Sequence, residues 1–390
     1  MEKTAPTYKI TERIESIDLI RGIAIAFMVL DHVRSFFSNV RFNPLDLRYT
    51  EASLFITRWI THPFGPTFIF LAGTSAYLSL YRGKSKRELS LFLLTRGLWL
   101  IFLELTIVNY SWTFSFTYEI LTLQVIWAIG WSMIVLSVLI FLPLWCIAAF
   151  GLATVLFHNM LDQIFSFDLG SLSPVWKILH EFGKIELHSG RIIRVVYPLI
   201  PWIGVIALGY SFGSLFLLDK KKRSRIFLWI GILTIACFAV IRYTNSFGAN
   251  FDYFWKEYYD PLYTFFSFFN CMKYPPSLLF LMMTLGPMLI FLGLFEKAIP
   301  RGLSFFATYG RVPMFFYLLH LPVIHLLAVG FFYIRYGEVF TDRFMYPAKF
   351  GFSLPVVYLL SFILLLIFFP LCRWYASLKK KSNSPFLRYI

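Results

Sequence analysis

Charged residues are scarce in this sequence. They make up 15% of its 390 residues, against about a quarter in a typical soluble domain, whereas 58% of the residues are hydrophobic. This composition argues against a water-soluble globule. It also argues against a nucleic-acid-binding protein, because no folded soluble domain remains to carry a basic surface. The net charge of +15 therefore has to be explained by the position of the cations relative to apolar segments.

Cysteines are few, and none belongs to a Cys-x-x-Cys pair, so we expect neither a disulfide framework nor a metal site. The sequence also lacks a small-residue cleavage site after its first apolar block, which predicts a retained first helix rather than a removable signal peptide. The four cysteines are Cys146, Cys237, Cys271 and Cys372.

Long apolar blocks fill most of the chain, and most of them have the length that crosses about 30 Å of hydrocarbon as an α-helix. They predict an all-α polytopic membrane protein, a bundle of about ten transmembrane helices in a single domain, 1–390, with an arm at 1–18 and a basic tail at 372–390. The predicted spans are 19–37, 64–81, 89–110, 121–141, 143–157, 196–218, 226–241, 277–295, 312–333 and 351–371.

The cations predict the orientation of this bundle. Alternate connections, starting with the N-terminal arm and counting Arg21 with it, hold 21 of the 36 Lys and Arg residues. Cytoplasmic loops carry such an excess, so we expect both termini in the cytoplasm. The short loops are bacterial in style, so we expect a plasma or inner membrane as the location. Two long loops, 158–195 and 242–276, then lie outside. The aromatic stretch FGANFDYFWKEYYDPLYTFF in the second could stack on sugar rings, but an interfacial helix is the favoured interpretation.

The first span carries ionisable residues inside an apolar helix. Arg21 and His32 are eleven residues apart, which places them within about 20° on one helix face and about 16 Å apart along the axis. Asp18 lies beside Arg21, and Asp31 beside His32. Such groups are costly in a membrane unless they face a cavity, so we expect Arg21 and His32 to line one common cavity. A histidine that only bridges two helices is the alternative.

Two other spans contribute polar groups at similar depth. Arg96 and Glu104 lie on roughly one side of the third span, where Glu104 could orient His32 or could simply pair with Arg96. In the ninth span, Arg311 stands at the entrance and His320 lies at mid-depth, before a kink expected at Pro322. His320 is a second catalytic candidate, or else a packed histidine bonded to backbone freed by the proline.

A basic entrance joined to a buried histidine suits a cosubstrate that carries phosphates on a long arm. Arg21 and Arg311 would bind the phosphates, with Asp18 and Arg96 completing the cofactor group. A pantetheine arm could then deliver a thioester to His32, acting as general base or transient acyl acceptor. The predicted catalytic residues are His32, Asp31, Glu104 and His320.

The stretch SIDLIRGIAIAFMVLDHV (16–33) resembles the first-helix motif of transmembrane acyltransferases, including the Arg and the His eleven positions later of the acyltransferase-3 family. PTFIFLAGTSAYLS (66–79), YPLIPWIGVIALGYSFG (197–213) and GRVPMFFYLLHLPVIH (310–325) resemble bacterial relatives of heparan-α-glucosaminide N-acetyltransferase. The resemblance implies a membrane enzyme that moves an acetyl or acyl group from cytoplasmic acyl-CoA, without a metal, to an extracytoplasmic carbohydrate.

One position departs from that family. The lysosomal member of that family has its proposed active histidine in the loop after the first conserved helix. In that region this chain has Asn43, Asp46 and Arg48, and the nearest loop histidine is His62. A proton-coupled transporter of a small solute remains the alternative function, since buried Asp, His and Glu side chains can also relay protons. The acceptor, the acyl chain length and any homo-oligomer are left open.

Overall fold

Helices dominate the computed structural model, which describes residues 13–187, 190–248, 253–339, 350–382, 384 and 387. The α-helices are α1 (Glu15–Phe37), α2 (Ala52–Ile60), α3 (Phe64–Leu80), α4 (Lys86–Leu103), α5 (Asn109–Thr113), α6 (Val125–Leu139), α7 (Leu144–Phe157), α8 (Ser173–Leu179), α9 (Leu199–Phe212), α10 (Lys220–Thr244), α11 (Pro261–Phe269), α12 (Leu278–Lys297), α13 (Phe306–Arg311), α14 (Pro313–Tyr336) and α15 (Leu354–Lys381). The strands are β1 (Ile120–Leu123), β2 (Gly183–Glu186) and β3 (Ile192–Val195).

Seven helical segments of the described chain are long and apolar enough to cross a membrane. They begin with α4, α7, α9, α10, α12, α14 and α15. The other three predicted spans coincide with α1, α3 and α6. Of these, α1 carries several charges, while α3 and α6 are 17 and 15 residues long. The chain is thus a multi-pass helical membrane protein, and the count of ten spans stays a prediction.

Helix α1 lies inside the bundle, in contact with α3, α12, α13, α14 and α15. Its approach to α13 is close enough to require glycine on both sides. A Cβ added to Gly22 would lie 1.8 Å from the carbonyl oxygen of Phe306, and one added to Gly310 would lie 1.8 Å from that of Asp18. Small residues allow such backbone contact between membrane helices, and here they fix the entrance residues of α1 against the α13–α14 corner.

A small sheet corrects one predicted boundary. The span expected at 121–141 begins instead as strand β1, which pairs in parallel with β3, while β2 pairs antiparallel on the other side of β3. Helix α6 starts only at Val125. The backbone of 120–123 is satisfied by a strand that follows some 70 residues later, and hydropathy alone carries no sign of that partner.

The basic segments predicted to share one side of the membrane meet at one end of the bundle. Arg223 forms an ion pair with Glu296, and Ser16 donates to the same carboxylate. Helix α15 extends to Lys381, ten residues past the expected end at 371, so the first part of the predicted tail is helical. Lysines in the last turn favour this extension, because they complement the partial negative charge of a helix C-terminus.

Candidate active site

Two histidines from different helices face each other in the core. His32 of α1 and His320 of α14 are 7% and 0% exposed, and His32 Nδ1 lies 2.7 Å from His320 Nε2. Their rings are nearly parallel, at 13°, and the Trp112 and Phe64 rings meet His32 edge-on. Aromatic walls of this kind hold the imidazole of His32 in one orientation.

The hydrogen bonds assign the tautomer of each neutral ring. His320 Nδ1 lies 3.0 Å from the carbonyl oxygen of Phe316, which can only accept, so Nδ1 of His320 carries the proton. Its Nε2 must then accept from Nδ1–H of His32. It follows that Nε2 of His32 holds the lone pair and is the basic and nucleophilic atom of the pair. The carbonyl that binds His320 is therefore that of Phe316. It is not the carbonyl of Leu318, which Pro322 was expected to free.

Asp31 anchors neighbouring helices by ion pairs. Arg34 donates to its Oδ1 at 3.0 Å, Arg58 of α2 donates to the same oxygen, and the Thr61 hydroxyl lies 3.4 Å away. A carboxylate bound to two guanidinium groups is a weak base. Asp31 therefore lies next to the predicted site, but its ion pairs serve to hold Arg58 in place.

A cavity of about 220 Å³ opens beside His32, and we call it the histidine cavity. Its lining combines apolar surface with hydroxyl, amide and guanidinium groups from several helices, from β1 and β3 and from the loop before α12. The polar and charged lining residues are Asp31, His32, Arg34, Ser35, Arg58, Thr113, Thr122, Gln124, Arg194, Tyr197, Tyr274 and Tyr317.

A second cavity, of about 500 Å³, lies at the basic end of the bundle, and we call it the basic cavity. Among the residues that the structure describes, six cations and one acid line it, and its deeper wall is apolar. The cations are Arg13, Arg21, Arg82, Arg96, Arg311 and Lys379. All four predicted cofactor residues, Arg21, Arg311, Asp18 and Arg96, belong to its lining. The sequence analysis did not identify Arg13, Arg82 and Lys379 as site residues. These three residues lie in connections or at helix ends.

Contacts within the basic cavity distinguish these residues. Arg21 is half-buried and donates to the carbonyl of Leu71 at 2.8 Å and to the Ser75 hydroxyl at 2.7 Å, both on α3. Asp18 is buried and forms an ion pair with Arg13. Arg311 is exposed at the rim. Arg21 is therefore held at the wall, whereas Arg311 can move towards a ligand.

Arg21 and His32 line two cavities, not the single cavity that we expected. The basic cavity and the histidine cavity share Val125 and Tyr317 in their linings. These two side chains stand between the arginine and the histidine. The helical spacing placed both residues on one face of α1, but α6 and α14 supply a partition that the spacing does not contain.

Glu104 occupies a different position from the one predicted. It is fully buried, and its Oε2 accepts from the backbone N–H of Trp127 at 3.1 Å, in the first turn of α6. A carboxylate at a helix N-terminus is favoured by the orphan N–H groups there. His32 Nδ1 is instead engaged by His320, so Glu104 ties α4 to α6 and is not the residue that orients the imidazole through that nitrogen.

A third cavity, of about 670 Å³, lies on the far side of the histidine cavity, and we call it the aromatic cavity. Aromatic rings, amides, cations and a carboxylate line it: Asn43, Asp46, Arg48, Arg58, Phe182, Tyr253, Phe254, Lys256, Tyr258, Asn270, Lys273 and Tyr274. It shares Arg58 and Tyr274 with the histidine cavity. Asp252 of the aromatic stretch lies outside the described residues.

Arg58, Lys273 and Tyr274 were missed by the sequence analysis. Lys273 is 6% exposed, and its Nζ lies 5.0 Å from the centre of the Phe64 ring and 5.2 Å from that of the Tyr274 ring. A signal was present, since Arg58 and Lys273 are single cations in otherwise apolar surroundings. Both cations lie outside the predicted spans, and the cost of a charge in the membrane was argued only for residues inside those spans.

The remaining histidines near the site have other roles. His325 Nδ1 donates to the Ser111 carbonyl at 2.9 Å and stacks on Phe114, which ties α14 to α5. His62 is fully buried edge-on to Phe280, and neither ring nitrogen has a hydrogen-bond partner in the described part of the chain. Within the described residues, no group of three His, Cys, Asp or Glu side chains could hold a metal ion.

Fold and site together define a multi-pass helical membrane protein in which a buried histidine pair stands between a basic cavity and an aromatic one. A family model described as "Heparan-alpha-glucosaminide N-acetyltransferase, catalytic" matches residues 13–242, more than half of the chain. The chain belongs to this family, which implies activity of the membrane acetyltransferase type. No curated protein matches the chain.

Proposed function

We propose that this protein transfers an acetyl or other acyl group from cytoplasmic acyl-CoA to a hydroxyl or amine of an extracytoplasmic sugar. One observation carries the proposal. Three cavities follow one another through the bundle, joined first at Val125 and Tyr317 and then at Arg58 and Tyr274, and the histidine pair lies at the middle one.

The basic cavity fits the donor. Cations at its rim, such as Arg311 and Arg82, suit the phosphates of CoA, and its apolar depth, with Met28 and Ile129, suits the pantetheine arm. Arg21 marks the transition between these two regions. The axial distance from Arg21 to His32, about 16 Å, corresponds to the reach of that arm.

His32 supplies the chemistry. Because Nδ1 of His32 donates to His320, Nε2 carries the lone pair that either attacks the thioester carbon or takes the proton of the acceptor. His320 acts by holding this tautomer in place, as the partner group does in other imidazole-based catalysts. Tyr317 and Val125 must shift for the thioester to reach His32.

The aromatic cavity fits a carbohydrate acceptor. Tyr253, Phe254 and Tyr258 offer ring faces to a sugar, and Asn43 and Asn270 offer amides to its hydroxyls. The protein would lie in the plasma or inner membrane with the basic cavity facing the cytoplasm. This orientation follows from the basic connections around that cavity.

Purified protein with radiolabelled acetyl-CoA and glucosamine tests the proposal. We expect labelled N-acetylglucosamine from the wild type, and a loss of about 10³-fold or more in the His32→Ala variant, because the variant lacks the reacting nitrogen. His180→Asn is the matched control, since this buried histidine pairs with Asp162 in an outer loop. Flux of glucosamine into proteoliposomes without acetyl-CoA, together with no transfer, would instead support a transporter.

A further inference from the structure

The histidine cavity is crowded with positive charge. Arg34, Arg58 and Arg194 line it, against one carboxylate, Asp31, among the lining residues that the structure describes. Asp31 already accepts from two of these arginines. A neutral imidazole that takes up a proton here adds another cation to the cluster, which is unfavourable at such short range.

A base that starts as an anion has the opposite preference. Its charged form is stabilised by surrounding cations, and it becomes neutral when it takes the proton. Among the groups shared by the histidine and aromatic cavities, Tyr274 has this property, because it is a phenol exposed to both cavities. It stands where an acceptor in the aromatic cavity would present its reacting group to His32.

The charges around Tyr274 favour the phenolate. Lys273 and Arg58 are its closest cations, with Arg34 further away; Asp31 opposes them, and Tyr197 is a further titratable neighbour. Burial by itself raises the pKa of Tyr274, but Lys273 and Arg58 outweigh burial, so this pKa lies below its ordinary value. Burial also lowers the pKa of Lys273, which brings the two titrations towards each other.

We infer that Tyr274 is a further catalytic residue. It is the general base that takes the proton of the acceptor hydroxyl or amine, while His32 contacts the acyl carbon. This inference rests on the proposed function. The acceptor oxygen or nitrogen forms a bond to the acyl carbon, and the bond from that carbon to the thioester sulfur, or to His32 Nε2 if the acyl group has been transferred there, breaks.

The protons and charges then balance. The acceptor proton passes to the Tyr274 oxygen and from there to water in the aromatic cavity. The CoA thiolate takes a proton from water in the basic cavity. His32 returns to its neutral tautomer, with Nδ1–H still donating to His320, so the site is ready for the next donor.

Transfer from acetyl-CoA to glucosamine, measured across pH, tests this role. Tyr274→Phe should lower kcat by about 10²-fold with the KM for acetyl-CoA within about twofold of wild type, the size of a lost general base. The control is Tyr375→Phe. Tyr375 is also buried, and its hydroxyl has no hydrogen-bond partner in the described part of the chain, so activity should stay at the wild-type level.

Two further variants keep the test valid should Tyr274→Phe misfold. Lys273→Met should move the acidic limb of the kcat profile to higher pH, because the phenolate loses a stabilising cation. 3,5-Difluorotyrosine at position 274 should move this limb to lower pH. Both shifts are read relative to wild type, so that titration of the acceptor cancels.

An unchanged profile in these two variants, or wild-type kcat in a folded Tyr274→Phe protein, would overturn the role of Tyr274. A wild-type protein without transfer to glucosamine or any other sugar tested would instead remove the proposed function itself. The two failures are therefore distinguishable.

Discussion

The basic and aromatic cavities differ in where their charges lie. In the basic cavity, cations such as Arg82 and Arg311 are exposed at the rim, and the depth is apolar. In the aromatic cavity, Arg48 and Lys256 are exposed as well, but the ammonium of Lys273 is buried. The first arrangement captures an anion at the entrance and admits a neutral arm. The second is polar to its base, as the recognition of a hydroxylated ligand requires.

The largest effect should come from the histidine pair, which lies between the basic cavity and the aromatic cavity. His320→Ala removes the acceptor of the His32 Nδ1 proton, so His32 loses its fixed tautomer, and kcat should fall about 10²-fold with little change in either KM. His320→Asn should recover part of this rate, because the amide oxygen can accept the same proton. Steady-state kinetics of folded variants measure the effect, and equal rates for the two variants would argue against tautomer control.

A second prediction concerns the basic cavity alone. Arg21→Ala should raise the KM for acetyl-CoA about tenfold while the acceptor KM stays within about twofold, because a charge-assisted hydrogen bond contributes about 1.5–3 kcal/mol. Initial rates with each substrate varied in turn provide the measurement. Unchanged donor kinetics would remove Arg21 from the donor site.

The reciprocal prediction concerns the aromatic cavity. Tyr258→Ala should raise the KM for the sugar by a few-fold and leave the donor KM unchanged, since a stacked ring contributes about 0.5–1.5 kcal/mol. Tyr243→Ala is the control, because Tyr243 is exposed and is not among the lining residues of the aromatic cavity. A similar rise of the sugar KM in both variants would indicate a change in the loop structure and not the loss of one stacked ring.

The smallest effect should be that of salt. Raising NaCl from about 0.05 to about 0.5 M should weaken donor binding by a few-fold, because exposed cations at the rim are screened. The acceptor KM should respond less, since a sugar carries no phosphates for the exposed Arg48 and Lys256 of the aromatic cavity to bind. A donor KM that is independent of salt would indicate that the rim cations do not contact the phosphates.

Helix positions were predictable wherever one chain segment decides them. The apolar blocks predicted α10, α12 and α14 because a membrane helix satisfies its own backbone and needs only length and apolarity. Strand β1 was missed because its hydrogen bonds come from β3, far away in sequence. The third span, predicted as 89–110, lies within one continuous helical segment, Lys86–Thr113, which carries a π-helical turn at Glu104–Val108.

Part of the candidate site was predicted from the sequence, but the connections between its residues were not. His32 and His320 were both identified from polar residues at depth, and the structure brings them into contact. The sequence could not show that Glu104 binds the N-terminus of α6, or that Asp31 is bound to Arg58. Each of these pairings joins separate helices, so no periodicity within one helix contains it.

The sequence by itself determined that the protein is a multi-pass helical membrane protein of an acetyltransferase family, because hydropathy and a first-helix motif are local properties of the chain. Only the tertiary structure decided which nitrogen of His32 carries the lone pair, and that Tyr317 and Val125 divide the arginine from the histidine. The physical reason is that a tautomer and a cavity wall depend on atoms contributed by other helices, at distances fixed only when those helices pack.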